Sequence, residues 1–326
     1  MDDEHRAMVE SLMARCIRCG ACDDACPSAR HGGCIPSVIM GGGETNLRAC
    51  ICCGRCSDVC PETDPKLVMM ALKADLIGAK VPERFHECGY VTTQCGSEMC
   101  EGLPEIDDGD DVYVVPGCVA KRRVPFVVYS ARRALQLIGK GNRELPGNRC
   151  CTHPLVFSLE SERSKEEIIR GMGESAEGRD TVTLCGSCTL EFARQGIDFP
   201  HICTYLAHHL DALRSLPGAG LRVSVEPGCS TEHYFDDFCA VVRACGCEIV
   251  NDTCGCCGKG IPGVQEGLAV ERQRESEKAD VIVIGCPNCL TAYDRTEGGK
   301  PVLYLTELVC LAAGESMTQR YHRIKL

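Results

Sequence analysis

The stretch "ADVIVIGCPNC", residues 279–289, decides the architecture: a short apolar run reads as a strand, ends at a cysteine and gives way to a helical stretch. The same grammar recurs in "DVYVVPGC" (111–118), "DTVTLCGSC" (180–188) and "LRVSVEPGC" (221–229). Laid out in order, these segments form a repeat. The first copy runs strand, Cys118, helix, Cys150-Cys151, helix, strand, Cys185-x-x-Cys188. The second runs strand, Cys229, helix, Cys256-Cys257, helix, strand, Cys286-x-x-Cys289. The tails match as well, "FPHICTYLAHHL" after one copy and "KPVLYLTELVCL" after the other, and "RSLPGAGL" (214–221) is the Pro/Gly-rich join. Strands alternating with helices imply two α/β lobes with mainly parallel sheets, expected over 112–215 and 216–326. In such sheets ligands gather at the carboxyl ends of the strands, where these cysteines stand.

Residues 1–80 follow a different rule. Apolar residues recur there at helical spacing (Met8, Val9, Leu12, Met13; then Leu67, Met70, Ala71, Ala74, Leu76), which predicts a small helical, Cys-rich domain. Residues 81–111 lack periodicity, carry Cys88, Cys95 and Cys100, and end in the acidic run "EIDDGDD"; they read as a linker. The expected class is α+β multidomain: a helical domain followed by two α/β lobes.

Cysteine supplies 29 of 326 residues, in a chain too long to be a small disulfide scaffold, so metal ligation is the expected use. The opening "MDDEHRAMVE" is acidic and polar, unlike a secretory leader, which predicts a cytoplasmic protein with reduced thiols. Apolar runs such as "YVVPGCVA" are too short to span a membrane, although a membrane partner could hold the chain at its surface. A formal charge of −11 argues against nucleic-acid binding.

Two runs, "CIRCGACDDACP" (16–27) and "CICCGRCSDVCP" (50–61), fit C-x2-C-x2-C-x3-C-P, the signature of paired cubane [4Fe–4S] clusters whose fourth cysteine serves the other cluster. One set of ligands is then Cys16, Cys19, Cys22 and Cys60; the other is Cys50, Cys53, Cys56 and Cys26. A pair of four-thiolate zinc sites is the alternative. Cys34 and Cys52 fall outside the pattern and read as core thiols. The helical context and the spacing between the runs resemble the helical ferredoxin module of the succinate dehydrogenase and heterodisulfide reductase systems, which implies one-electron transfer between partners.

Each α/β copy offers five cysteines, one more than a tetrahedral zinc or a simple cubane takes. Adjacent side chains on extended backbone diverge, so a vicinal pair suits a group whose iron atoms are spread out. A lone cysteine, a Cys-Cys pair and C-x-x-C, given twice, together with "CCGKGIPG" and "GCPNCLTAYD", resemble the CCG-domain family typified by the catalytic polypeptide of heterodisulfide reductase. With the helical module in front, the chain resembles a fusion of that catalytic polypeptide with the small ferredoxin-like polypeptide of the same reductase. The resemblance implies two non-cubane [4Fe–4S] clusters, one held by Cys118, Cys150, Cys151, Cys185 and Cys188, the other by Cys229, Cys256, Cys257, Cys286 and Cys289. It further implies cleavage of the disulfide of coenzyme M and coenzyme B between them, a reaction of methanogenesis. The first pair continues "CCTHP" where the family has glycine, so that copy could hold zinc instead. No dinucleotide fingerprint is present, since "GGGET" (41–45) lacks the required register; a flavin-containing or membrane cytochrome partner is the implied donor. The competing reading is a non-catalytic electron-transfer subunit with the same clusters and no substrate cavity.

Secondary candidates are Lys121, Arg122, Arg123 and Lys259 as contacts for an anionic substrate, otherwise solvated loop residues. His153 and His233 are candidates for proton transfer at a product thiolate, otherwise satisfied or exposed histidines. Cys95-x4-Cys100 is a weak metal candidate. Cys203, Cys239, Cys245, Cys247 and Cys310 read as small buried hydrophobes, with Cys245 or Cys254 as alternatives to an assigned ligand.

Overall fold

The computed structural model describes residues 1, 3–77, 88–90, 96–153, 159–229, 232–258 and 260–326. The chain forms two compact units, one of Met1–Val81 with Leu155–Glu162 and Cys256–Glu271, the other of Pro82–Pro154 with Arg163–Gly255 and Arg272–Leu326.

The first unit is helical in every described element. Its long helices, Asp3–Ala14 and Pro65–Ile77, pack on each other around Val9, Cys34, Ile39, Met40, Leu47, Val68, Met69 and Ala71. The inward face of the second helix matches the expected one in part: Ala71 and Ala74 are buried, but so are Val68 and Met69, whereas Leu76 is exposed. An unbroken apolar run such as "LVMMAL" (67–72) has no polar side to mark which face turns inward. The segment carrying the second double cysteine belongs to this unit because Val264 and Leu268 pack against Ala49 and Ile51, and Glu271 pairs with His31 at 3.3 Å. The helical unit therefore extends beyond residues 1–80.

The second unit holds two parallel sheets. In one, strands β1 (Val112–Val115), β2 (Asn142–Glu144) and β3 (Asp180–Thr183) lie in the order β2-β1-β3; in the other, β4 (Arg222–Glu226), β5 (Glu248–Asp252), β6 (Val281–Ile284) and β7 (Val302–Tyr304) lie in the order β5-β4-β6-β7. Strands β1 and β6 are buried at every residue, which is why "VYVV" and "VIVI" carry no polar alternation. Each tail runs beside the strand before it: Pro200 accepts from the Thr183 amide and Pro301 from the Ile282 amide, each at 2.9 Å. Helices Pro125–Leu137 and Leu305–Ala312 pack together, with Ser130 and Thr306 hydroxyls 2.7 Å apart in the contact.

The C-terminal end is fixed by a buried ion cluster. His322 has no exposed side-chain surface; its Nδ1 is 3.3 Å from Asp294 and its Nε2 3.0 Å from the equally buried Glu307. Glu307 also accepts the Tyr304 amide at 2.9 Å and so caps its own helix. Burial alone would lower the imidazole pKa, but Glu307 and Asp294 raise it from 6.5 to about 10. The charged pair therefore stabilises the fold fully below the unfolded value and loses its effect as pH rises towards 10. Replacing His322→Gln is expected to cost about 3 kcal/mol at mildly acid pH, by analogy with broken buried ion pairs. The deficit should shrink as pH climbs through the folded pKa. Urea unfolding across that range checks this, and a deficit independent of pH would show that the imidazole is uncharged.

Candidate iron–sulfur centres

In the helical unit the two cysteine runs adopt the same backbone. Arg18 and Cys52, at equivalent places, take left-handed φ values of 56° and 54°; Gly20 and Gly54 follow at 79° and 93°. Short helices Ala21–Asp24 and Arg55–Asp58 then begin and pack on each other. Mixed left- and right-handed residues turn successive amides towards one side, a concavity suited to anionic sulfur. Two cavities result. Cys16, Cys19, Cys22 and Cys60 line one, with about 340 Å³ of atom-free space including its mouth. Cys26, Cys50, Cys53 and Cys56 line the other, with about 350 Å³. Each cavity therefore takes the first three motif cysteines of one run and the last cysteine of the other. Cys34 and Cys52, assigned to the core from sequence, also line the second cavity; Cys34 is 1% exposed and its thiol faces Met69 Sδ at 3.8 Å. Burial pushes the Cys22 thiol up to about 12, and Cys34 and Cys52 hydrogen bonds hold Cys50 far down. Four or more cysteine thiols lining one recess fit a polynuclear iron–sulfur group. Among the described residues, no group of three or more His, Cys, Asp or Glu side chains is arranged to hold a single metal ion.

In the second unit the first copy's cysteines come together at the carboxyl ends of β1 and β3. Cys151 Sγ lies 3.2 Å from Cys188 Sγ, both almost fully buried, and hydrogen bonds from Cys150 and Cys188 hold the Cys151 thiol down at about 6. Cys185 is lowered by hydrogen bonds from Cys188 and from Cys286, so the leading cysteines of the two C-x-x-C pairs meet. Cys286 accordingly packs on the apolar cluster containing Cys151, Cys185 and Cys188. Gly117, at φ 72°, comes so close that a Cβ there would lie 3.0 Å from Cys188 Sγ; Gly228, at φ 108°, would place one 3.1 Å from Cys286 Cβ. Only glycine allows both the left-handed turn and the approach. The donor set of the first copy is all sulfur, with Cys118 half-buried and the other four buried, which fits an iron–sulfur group there too.

Of the second copy, Cys229, Cys286 and Cys289 lie in this unit, while Cys256 and Cys257 lie in the helical one. Cys229 is exposed, Cys286 half-buried and Cys289 buried. Cys254 donates its thiol to the Gly228 carbonyl at 3.1 Å, beside Cys229. Cys245 is fully buried, and burial raises its thiol to about 12. Cys203, Cys239, Cys247 and Cys310 are buried, as expected.

Buried polar groups organise these loops. Glu226 accepts Thr253 Oγ1 at 2.7 Å and the Gly255 amide at 3.0 Å, and pairs with Arg272 Nε at 3.2 Å, fixing the chain just before the second double cysteine. In the first copy Glu191 receives His153 Nδ1 at 2.7 Å and Arg194 at 3.0 Å. His153 is thus a partner of a buried carboxylate, and His233 is exposed. Lys121 is bound by both oxygens of Glu144 at 2.7 and 2.8 Å, and Arg122 lies over the Tyr90 ring at 5.9 Å. Cys100 is exposed; Cys95 and Lys259 lie outside the described residues.

Sequence reasoning missed a further set. His201, fully buried, places Nε2 3.0 Å from the Gly285 carbonyl, while Tyr304 donates to the Leu184 carbonyl at 2.8 Å. Burial lowers His201 to about 4, so it is neutral and Nε2 carries the proton given to Gly285. Its ring stacks on Tyr234 with centroids 4.8 Å apart. The matching tails pointed to this region, but nothing in them distinguished these rings from ordinary core residues.

No family model matches the chain. It is 26% identical to the B subunit of the ferredoxin/F420H2-dependent CoB–CoM heterodisulfide reductase of Methanosarcina acetivorans, across 61% of this chain and 88% of the relative. It is likewise 26% identical to the B subunit of the ferredoxin:CoB–CoM heterodisulfide reductase of Methanosarcina mazei, across 62% of this chain and 89% of the relative. A hypothetical protein from Helicobacter pylori matches the whole chain and 76% of its own in fold, with a TM-score of 0.55 and 10% identity. Among the described residues, no helix is long and apolar enough to cross a membrane. Over about three-fifths of its length, the chain is similar to the B subunits of heterodisulfide reductases.

Proposed function

We propose that this chain is an iron–sulfur oxidoreductase subunit that reduces a disulfide, with electrons relayed through its helical unit. The observation that carries the reading is the meeting of Cys185 with Cys286, the leading cysteines of two C-x-x-C pairs from two parallel sheets. A disulfide takes two electrons and two protons to give two thiols, and single-electron delivery leaves a sulfur radical unless both sulfurs are held. Two donor sets that face each other answer that requirement. The similarity to the B subunits of heterodisulfide reductases points to the same chemistry, with the disulfide of coenzyme M and coenzyme B, or one like it, as substrate.

In this reading Cys118, Cys150, Cys151, Cys185 and Cys188 hold one non-cubane cluster, and Cys229, Cys256, Cys257, Cys286 and Cys289 hold the other. Such groups, when bound, supply single electrons to a coordinated sulfur. The chain's own residues set the frame. Gly117 and Gly228 let the lone cysteine of each copy close on its C-x-x-C, Glu191 and Glu226 anchor the loops behind the vicinal pairs, and His201 and Tyr304 hold the backbone before Cys286 and Cys185. Arg122 and Arg123, ending the helix Gly117–Arg123, offer positive charge to an anionic substrate. The fused ferredoxin-plus-catalytic arrangement, a flavin or cytochrome donor and a cytoplasmic location complete the proposal.

The burial of Cys150, Cys151 and Cys188 favours a second reading, in which the chain only passes electrons, because a substrate sulfur needs access to an open position. Cys229 and Cys286 are more accessible, so the substrate is placed on their side. Low-temperature EPR of the anaerobically purified, oxidised protein separates the two. The reductase should bind about sixteen irons, four per cluster, and develop a new paramagnetic signal when coenzyme M or coenzyme B thiol is added. Cubane signals indifferent to both thiols would favour the relay.

The cavity linings give a second expectation. Cys60→Ser should remove the same cubane signal as Cys19→Ser, and Cys26→Ser the same one as Cys53→Ser. Losses that follow the linear runs instead, Cys60 with Cys53, would overturn the crossed ligand sets.

A further inference from the structure

Thr152 follows the first double cysteine, where the second copy has Gly258. Both residues are left-handed, at φ 58° and 64°. At Gly258 a Cβ would lie 3.0 Å from Leu268 Cδ1 and 3.1 Å from Gln265 backbone atoms, so a side chain there would crowd its neighbours as well as strain the backbone. The first copy instead carries a β-branched side chain in a conformation that such residues rarely adopt. Thr152 is 2% exposed, and its Oγ1 has no hydrogen-bond partner among the described residues. One residue therefore combines backbone strain with an unsatisfied buried hydroxyl, and glycine would remove both. Its neighbour Cys151 is itself 3% exposed and touches Cys188.

A hydroxyl has one proton to give, and here no described atom of the polypeptide takes it. The acceptors expected beside Cys151 are the sulfurs of the group those cysteines hold. We infer that Thr152 donates a hydrogen bond to a sulfur of the iron–sulfur centre held by Cys118, Cys150, Cys151, Cys185 and Cys188, raising its reduction potential above that of the second centre. This rests on the assignment of that centre made above. Hydrogen bonds to cluster sulfurs stabilise the more negative, reduced state, whereas Gly258 has no side chain to do the same. The two centres are thereby made unequal, and an electron arriving at the pair settles first on the Thr152 side. Thr152 is a positioning residue in this account, since it acts through the sulfurs.

The test is a potentiometric titration followed by EPR on the full-length, anaerobically purified chain, comparing wild type with Thr152→Val, Thr152→Gly and Thr152→Ser, alongside iron and zinc analysis. Valine keeps the shape and loses the hydroxyl; serine keeps the hydroxyl. The expected result is a downward shift of one midpoint in the valine and glycine variants, recovery towards wild type in the serine variant, and no change at the other centres. Thr152→Gly should also raise the unfolding temperature of the metal-free chain by relieving the strain. Full iron content with midpoints that ignore all three substitutions would overturn the hydrogen bond while leaving the centre in place. Zinc in place of four irons would overturn the centre itself, and the hydrogen bond with it.

Discussion

Sulfur atoms can be gathered at the ends of these sheets only because backbone is allowed to come within contact distance of them. The register makes this concrete. Val115 pairs with Thr183, and Gly117 and Cys185 each lie two residues further on; Glu226 pairs with Ile284, and Gly228 and Cys286 each lie two residues further on. Central strand and neighbour thus deliver a Pro-Gly-Cys turn and a C-x-x-C to the same level in both lobes. Any side chain at Gly117 or Gly228 would crowd the C-x-x-C beside it. In the first lobe the vicinal pair joins them, Cys151 Sγ lying 3.2 Å from Cys188 Sγ.

A second layer keeps the loops from relaxing away from it. Glu191 and Glu226 are nearly inaccessible, and buried carboxylates persist only when their oxygens are engaged. Glu226 spends its oxygens on the loop 253–255 and on Arg272, while Glu191 binds both His153 and Arg194 through one oxygen, Oε1. The charges serve geometry here: they immobilise the chain just before or just after a double cysteine, where no regular strand or helix does so.

Much of this was legible in the sequence because strand and ligand are neighbours along the chain. Runs such as "VYVV" and "VIVI" followed by cysteine announced parallel strands with sulfur at their ends, and the C-x2-C-x2-C-x3-C-P spacing announced the two cavities and their crossed linings. What stayed hidden depends on pairings remote in sequence. That 256–271 would pack on the helical unit rests on Val264 and Leu268 meeting Ala49 and Ile51, apolar contacts with no distinguishing pattern. That Cys34 and Cys52 would share a cavity with four regularly spaced cysteines follows from the fold of a loop, and thiols serve equally well as core residues. The threonine after Cys151 was visible as a departure; its strain and its unsatisfied hydroxyl were not.

The hydrogen bonds of His201 and Tyr304 cross over. Tyr304, at the end of β7, closes the carbonyl before Cys185; His201, beyond β3, closes the carbonyl before Cys286. Each lobe carries the donor that completes the other's cysteine loop. Neither lobe is then a self-sufficient module: separated at the Pro/Gly-rich join, each would expose the partnerless carbonyl of its own loop along with the apolar surface around it. Two such fragments would recognise one another before any foreign surface, and a lineage that inherited the pair could vary one lobe only within limits set by the other.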